Sequence, residues 1–281
     1  MIKIGPSGNS DAFYASGRKH TYEEAAYLDM LGLDCFEYSF GRGVSMSDET
    51  AAKIKSEFIK YGKEISVHAP YYTNFANPDP EMIGKSIGYI LQSVVACNKL
   101  GGERVVFHPA ACGKAERADA VAATKSNLAL LAERCKEEIA FPYKLCVETM
   151  GKLNQIGTVE EVVDFCLIDK IFYPCFDFGH INSYMRGGIK TKDDYRRILD
   201  YTIDKLGFDK ASQMHVHFSK IMYGDKGEIK HLTFADGKYG PEYAPLGELF
   251  EEYKMSPYIV CESAGTMSDD ALIMKKFHQN T

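Results

Sequence analysis

The chain has 281 residues, 45% of them hydrophobic, which is enough for one large core at a length that single (β/α)8 barrels commonly fill. The formal net charge of -6 argues against a broadly basic nucleic-acid-binding surface. It leaves room for a local basic rim, with Arg18, Lys19, Arg42, Arg186, Lys190 and Lys220 as candidates, because acidic metal ligands are offset by the ion they hold.

Charged residues are scattered, Trp is absent and no apolar run approaches the ~20 residues of a membrane span. Eight cysteines (Cys35, Cys97, Cys112, Cys135, Cys146, Cys166, Cys175 and Cys261) occur singly, with no C-x-x-C pair. Most lie in apolar runs, the pattern of buried free thiols in a reducing cytosol. The N-terminal Met1-Ile2-Lys3-Ile4-Gly5 reads as a strand and not as a signal peptide. A cytoplasmic protein of one domain over residues 1–281, monomeric by default, is expected.

Short apolar or β-branched runs alternate with longer amphipathic stretches along the whole chain. The first strand spans 2–4. Thr21 with Glu24 reads as a capping-box start, with Ala25, Leu28 and Leu31 on one helical face. A strand at 35–39 leads to a helix from Ser47 through Ile54, Phe58 and Ile59. A strand at 65–68 leads to a long helix over 80–100, ended by Gly101-Gly102.

Strand 104–108, helix 115–138, strand 144–148 and helix 158–167 follow, the last with Glu161 at its N3 position. Strand 172–178 precedes helix 191–206, which Gly207 ends. Strand 213–218, helix 246–253, strand 258–262 and a helix from Ser268 complete the chain. Eight strands, each followed by a helical segment, predict a (β/α)8 TIM barrel. The rival is a doubly wound open sheet, but Gly5-Pro6-Ser7-Gly8 lacks its G-x-G-x-x-G spacing. The one long irregular connection, about 219–244, is rich in Gly, Lys and Asp, and such loops often carry function.

The ends of the predicted strands share one chemistry. The third ends at His68, the fourth at His108, the fifth at Glu148, the sixth at Asp177 with His180 beyond, the seventh carries His215 and His217, and the eighth ends at Glu262. This is the edge where barrel enzymes place active sites. Each residue alone has an ordinary structural explanation; Asp177, for example, could cap a helix. Together they suit a divalent metal, because carboxylates crowded at one barrel mouth repel one another unless a cation lies among them. More than four candidate ligands point to more than one ion, an arrangement suited to phosphate-ester cleavage.

Val67-His68-Ala69-Pro70-Tyr71, Phe107-His108-Pro109, Glu148-Thr149, Asp177-x-x-His180, Met214-His215-x-x-x-x-Lys220 and Glu262-Ser263-Ala264 resemble motifs of the endonuclease IV family of abasic-site nucleases, along nearly the whole chain. The resemblance implies a barrel with three zinc ions. His68, His108 and Glu148 would hold one, and Glu148 would bridge to a second held by Asp177, His215 and Glu262. His180 and His231 would bind the third.

Two positions depart from the pattern. Where the family has an Asp two residues before the last His, this chain has Ile229, leaving Glu228 or Asp225 as substitutes. The seventh strand reads His215-Val216-His217 in place of His-Leu-Asn-Asp, so His217 competes with His215, which the motif match favours. The resemblance further implies duplex DNA with abasic sites as partner, Tyr71 and Arg42 as DNA-facing residues, and Glu148 as the catalytic residue that orients the nucleophile. Lys220, Arg186 and the 219–244 loop are candidate phosphate contacts. Two or three Zn2+ are expected, with Mn2+ as the substitute.

A sugar isomerase or epimerase of the xylose-isomerase-like type is the competing reading. It would use Glu148, Asp177, His215 and Glu262 around one Mn or Mg ion, with the two Glu moving protons. It leaves His68, His108, His180 and His231 without employment.

Overall fold

The computed structural model describes residues 1–41 and 43–279, so Arg42 lies outside the described residues. Eight parallel strands form one sheet: β1 (Lys3–Pro6), β2 (Cys35–Ser39), β3 (Glu64–His68), β4 (Arg104–Phe107), β5 (Lys144–Glu148), β6 (Phe172–Asp177), β7 (His215–Phe218) and β8 (Tyr258–Cys261). Their spatial order is β1-β8-β7-β6-β5-β4-β3-β2, so each strand lies beside its neighbour in sequence, and β8 returns to β1. At the remaining seam Ser7 bridges Glu37 in parallel, Gly8 N donates to Glu37 O at 3.0 Å and Asp34 N donates to Ile4 O at 2.8 Å. Gly5 is what lets the two backbones approach, since a Cβ there would stand 1.6 Å from the Cys35 carbonyl oxygen. The (β/α)8 barrel expected from the strand and helix alternation is the fold.

Alternation along each strand sorts the side chains. Phe36, Val67, Val105, Leu145, Phe176, Val216 and Ile259 belong to the main core shared with the helices. The positions between them face the barrel interior, where Cys35, Tyr258 and Val260 form one small apolar cluster and Val106, Cys146 and Cys175 another. All eight cysteines are free. No helix among the described residues is long and apolar enough to cross a membrane.

The helices follow their capping chemistry. Pro80–Leu100 starts on Asp79, whose side chain accepts from Glu81 N, and stops at Gly101 in the left-handed conformation. Val159–Cys166 carries the Thr158–Glu161 capping box. The expected start at Thr21 is displaced by one position. Glu23, not Glu24, turns back to accept from the Lys19 and His20 amides at 2.9 and 2.8 Å. Glu24 instead falls on the inward face with Ala25 and Leu28 and is buried.

The 219–244 connection is less irregular than its composition suggests. Ile221–Gly224 and Gly227–His231 pair as an antiparallel hairpin around an Asp225-Lys226 turn. Gly227 takes a positive φ of 91°, and a Cβ there would meet the Gly151 carbonyl oxygen at 2.2 Å. Glu228 N also donates to Gly151 O at 3.0 Å. The hairpin is thereby docked on the loop that leaves β5, beside the barrel mouth.

Candidate metal centre

Glu148 is the hub of the barrel mouth. It ends β5, is buried, and has His68 Nε2 at 3.0 Å and His108 Nε2 at 3.1 Å from its Oε2. Its Oε1 faces His217 Nδ1 at 3.1 Å and His180 Nδ1 at 3.4 Å. Burial alone would raise the Glu148 carboxyl, but His108, with His180 and His217, overrides it and holds the group well below the usual carboxylate range. His68 Nδ1 donates to the Ala69 carbonyl at 2.7 Å. This fixes the tautomer that leaves the Nε2 lone pair facing Glu148.

Asp177 combines the two readings that its sequence position allows. Its Oδ1 accepts from His180 N at 2.8 Å and caps the helix Phe178–Tyr184, which begins directly at the end of β6. Its Oδ2 is buried with no hydrogen-bond partner among the described residues, although His180 Nδ1 lies 3.3 Å away. His180 Nδ1 donates to the Thr149 carbonyl at 3.0 Å, and its Nε2 faces Glu228 Oε2 at 3.5 Å. Burial works against a proton on His180, but Asp177, Glu148 and Glu228 outweigh it and push its pKa up to about 10. Glu262 is pushed up by burial, with the nearby Asp177 and Glu148 carboxylates adding to it against His217 and His231.

Besides a deeper group of Cys175, His215 and His217, the donor atoms at the mouth fall into three groups, each spanning no more than 4.8 Å: His68, His108 and Glu148; Glu148, Asp177, His217 and Glu262; and Asp177, His180 and His231. Glu148 belongs to the first two and Asp177 to the last two, so the groups are continuous. All residues of these three groups except Asp177 and His217 line a cavity of about 600 Å³ that Tyr71, Lys152 and Glu228 also border. An orphaned buried carboxylate oxygen, crowded carboxylates and imidazoles with fixed tautomers fit divalent cations of the zinc type.

The family model of the xylose isomerase-like TIM barrel matches residues 25–275. The chain belongs to the xylose isomerase-like TIM-barrel family. An uncharacterized protein of Methanocaldococcus jannaschii is 31% identical over 254 residues, 90% of each chain. A probable endonuclease 4 of Acholeplasma laidlawii is 29% identical over 220 residues, 76% of this chain and 71% of that one. Among solved structures, endonuclease IV from Thermus thermophilus superposes with a TM-score of 0.70 at 20% identity, covering 93% of this chain and 95% of that one. The 3-keto-D-glucoside 4-epimerase from E. coli superposes with a TM-score of 0.68 at 14% identity over all of both chains. At these identities the superpositions establish the shared fold, and the resemblance to endonuclease IV rests on sequence as well.

Within this xylose isomerase-like barrel, the two histidines of β7 stand at different depths. His217, not His215, stands with Glu148, Asp177 and Glu262. Both side chains point inward, but His217 is level with Asp177 while His215 is level with Cys175, two residues deeper. Two residues of strand amount to ~7 Å along the strand. His215 is enclosed, with its Nε2 3.1 Å from Glu37 Oε2 and its ring stacked on Tyr258. Burial lowers its pKa to about 4, against the pull of Glu37.

His231 reaches the site from the hairpin, with its Nδ1 2.8 Å from the Ser219 hydroxyl. Glu228, and not Asp225, faces the cavity. Tyr71 is half exposed at the rim, its ring 4.9 Å from His68 and 5.5 Å from His108, and its hydroxyl 2.8 Å from Ser39 Oγ. Two expected phosphate contacts are engaged elsewhere. Lys220 is buried and binds Asp236 O and Glu242, each contact holding the 219–244 loop. Arg186 donates to Asp225 O at the hairpin turn.

Sequence reasoning overlooked Lys152, on the loop after β5, and Glu37, in mid-strand. Glu37 did leave a signal: a carboxylate inside the apolar run Cys35-Phe36-Glu37 must either face solvent or be paired in the interior.

Proposed function

We propose that the chain is a metal-dependent apurinic/apyrimidinic endonuclease, which hydrolyses the phosphodiester 5′ to an abasic site in duplex DNA. The carrying observation is the continuity of the three donor groups through Glu148 and Asp177. One-ion sugar chemistry calls for only the middle group, whereas phosphodiester hydrolysis profits from several adjacent cations. Relatives such as the probable endonuclease 4 of Acholeplasma laidlawii support the same reading.

In this reading His68, His108, Glu148, Asp177, His180, His217, His231 and Glu262 hold two or three Zn2+, with Glu228 standing in for the missing Asp of the third site and Mn2+ as an acceptable substitute. His215 does not serve. Bound divalent ions supply charge neutralisation for the phosphate and a water acidified toward neutral pH.

The chain's own residues do the rest. Glu148, low in pKa and shared between two groups, stays ionised and orients the nucleophile. The docked hairpin carries His231 and Glu228 over one side of the cavity. Tyr71, propped by Ser39 and the two imidazoles, offers an aromatic face at the mouth to a sugar extruded from the duplex. Lys152 at the cavity edge pairs with a backbone phosphate. The free thiols fit a cytoplasmic enzyme, and a monomer is its simplest state.

A second reading has its own observation. Glu148, Asp177, His217 and Glu262 form a self-contained four-donor group, which would serve a sugar isomerase or epimerase with one ion. The deciding experiment is incision of a duplex oligonucleotide with a single abasic site, with zinc and manganese each supplied, beside Glu148→Gln as control. A single cut 5′ to the site, absent in the control, is expected. No cut by metal-loaded protein overturns the nuclease and directs the test to ketose substrates.

A further inference from the structure

One part of the basic rim expected from the sequence is left unused by the proposed hydrolysis. Lys19 lies on the loop that leaves β1, and Lys53 lies on the helix Asp48–Lys60 that follows β2. Both segments continue from C-terminal strand ends, so they stand on the face of the barrel that carries the donor groups. Lys19 and Lys53 line a cavity of about 370 Å³ together with His20, Tyr22, Tyr38 and Glu49.

Neither lysine forms an ion pair among the described residues, and Lys53 Nζ instead lies 3.5 Å from the centroid of the Tyr22 ring. Glu49 stands four residues before Lys53 on the same helix, the order and spacing that favour a Glu–Lys pair, yet the pair is not made. The Tyr22 ring is also stacked on the exposed His20, with centroids 5.1 Å apart and planes at 13°. Two ammonium groups and two stacked rings thus share one cavity with a single carboxylate, on a chain whose net charge is -6. Arg18, the neighbour of Lys19, is folded onto the Tyr27 ring and Ser16, and adds positive field without lining the cavity.

Short connections join this cavity to the metal centre. Tyr38 borders it, and the next residue, Ser39, holds the Tyr71 hydroxyl at the mouth at 2.8 Å. On the β1 side, Ser7 lines the mouth, and Asn9 Nδ2 donates to Thr21 Oγ1 at 3.2 Å, in the wall of the lysine cavity. A duplex carries a phosphate every ~3.4 Å of axis on each strand. DNA that seats one phosphate at the donor groups therefore carries others across this rim.

We infer that Lys19 and Lys53 form a second phosphodiester subsite, which holds a backbone phosphate of DNA flanking the one at the metal centre, with the His20–Tyr22 stack against the adjoining deoxyribose. The inference rests on the nuclease reading above. The subsite accepts any sequence, because phosphate contacts set register and do not read bases. It gives a use to a Lys53 turned away from Glu49, since an ammonium already paired with a carboxylate has less to offer a phosphate.

The test is fluorescence anisotropy of a short labelled intact duplex with the full-length, zinc-loaded chain, at salt from about 50 to 200 mM. The slope of log affinity against log salt should become shallower by about 0.9 in Lys19→Ala and in Lys53→Ala, and by about twice that in the double variant. Lys60→Ala removes the same charge from the other end of the same helix, where Lys60 pairs with Glu57, and should keep the wild-type slope. Wild-type slopes in both cavity variants, or an equal change in Lys60→Ala, overturn the subsite and leave the nuclease reading standing. Displacement of the duplex by inorganic phosphate at constant ionic strength, with slopes unchanged in the variants, assigns the cavity to a free anion and also overturns it. The expected slopes from a protein that fails to cut abasic duplex uphold the subsite and overturn the nuclease. A wild type that binds no duplex overturns both.

Discussion

Replacing Glu24 with Gln should change how stability depends on pH. Glu24 opens the helix Glu24–Leu31, is buried, and has no hydrogen-bond partner on either carboxylate oxygen among the described residues. Burial pushes its pKa from 4.5 up to about 8, against the charge of Arg18. The folded chain keeps this proton until about pH 8, whereas the unfolded chain releases it near 4.5. Between those values the unfolded state binds fewer protons, so stability falls as pH rises, by ~1.4 kcal/mol per unit. Across the whole window the loss approaches ~5 kcal/mol, and at neutral pH it is about 3 kcal/mol.

Glutamine keeps the shape and has no proton to lose, so the variant should lack this slope. The assay is urea unfolding of wild type and Glu24→Gln at several pH values inside the window, both stripped of metal with EDTA. The stability of the variant relative to wild type should climb by ~1.4 kcal/mol per pH unit. Parallel pH profiles would refute the claim that Glu24 is folded as the neutral acid.

The two histidines of β7 should separate cleanly: His217→Ala loses one bound ion by elemental analysis, while His215→Ala keeps its full metal complement and loses thermal stability instead. An equal loss of metal in both would contradict the two-layer assignment. At Gly227 an alanine must shift the hairpin off Gly151, since its Cβ would lie 2.2 Å from a backbone oxygen at a φ unsuited to it. Gly227→Ala should therefore weaken zinc binding at the donor group of His180 and His231 while far-UV circular dichroism stays unchanged; wild-type zinc affinity would show that the hairpin can give. Glu148→Gln, common to two donor groups, should lower metal content by more than any single histidine variant, measured on the same preparation.

Much of this protein could be read from its chain. The alternation of strand and helix specified the barrel, because each strand buries one face on helices and the pattern repeats eight times without a phosphate-binding glycine turn. His68, His108, Glu148, Asp177, His180 and Glu262 were legible as a cluster because parallel strands of a barrel bring their C-terminal ends to one mouth; His231, on the hairpin, was reached only through the family resemblance. Caps such as Thr158 with Glu161 were legible because they depend only on near neighbours.

Depth along the barrel axis was not legible. His215 and His217 share a face, and only the register of β7 against β6 places one at the mouth and the other beside Glu37. The same holds for Glu37, whose partners come from β3 and β7, far away in sequence. The docked hairpin was hidden too, since it depends on a glycine fitting against a backbone oxygen more than seventy residues earlier, Gly227 on Gly151. Local composition sets the elements and the side of the sheet each residue faces; the strand register, fixed by packing of the whole barrel, decides which inward-facing groups meet.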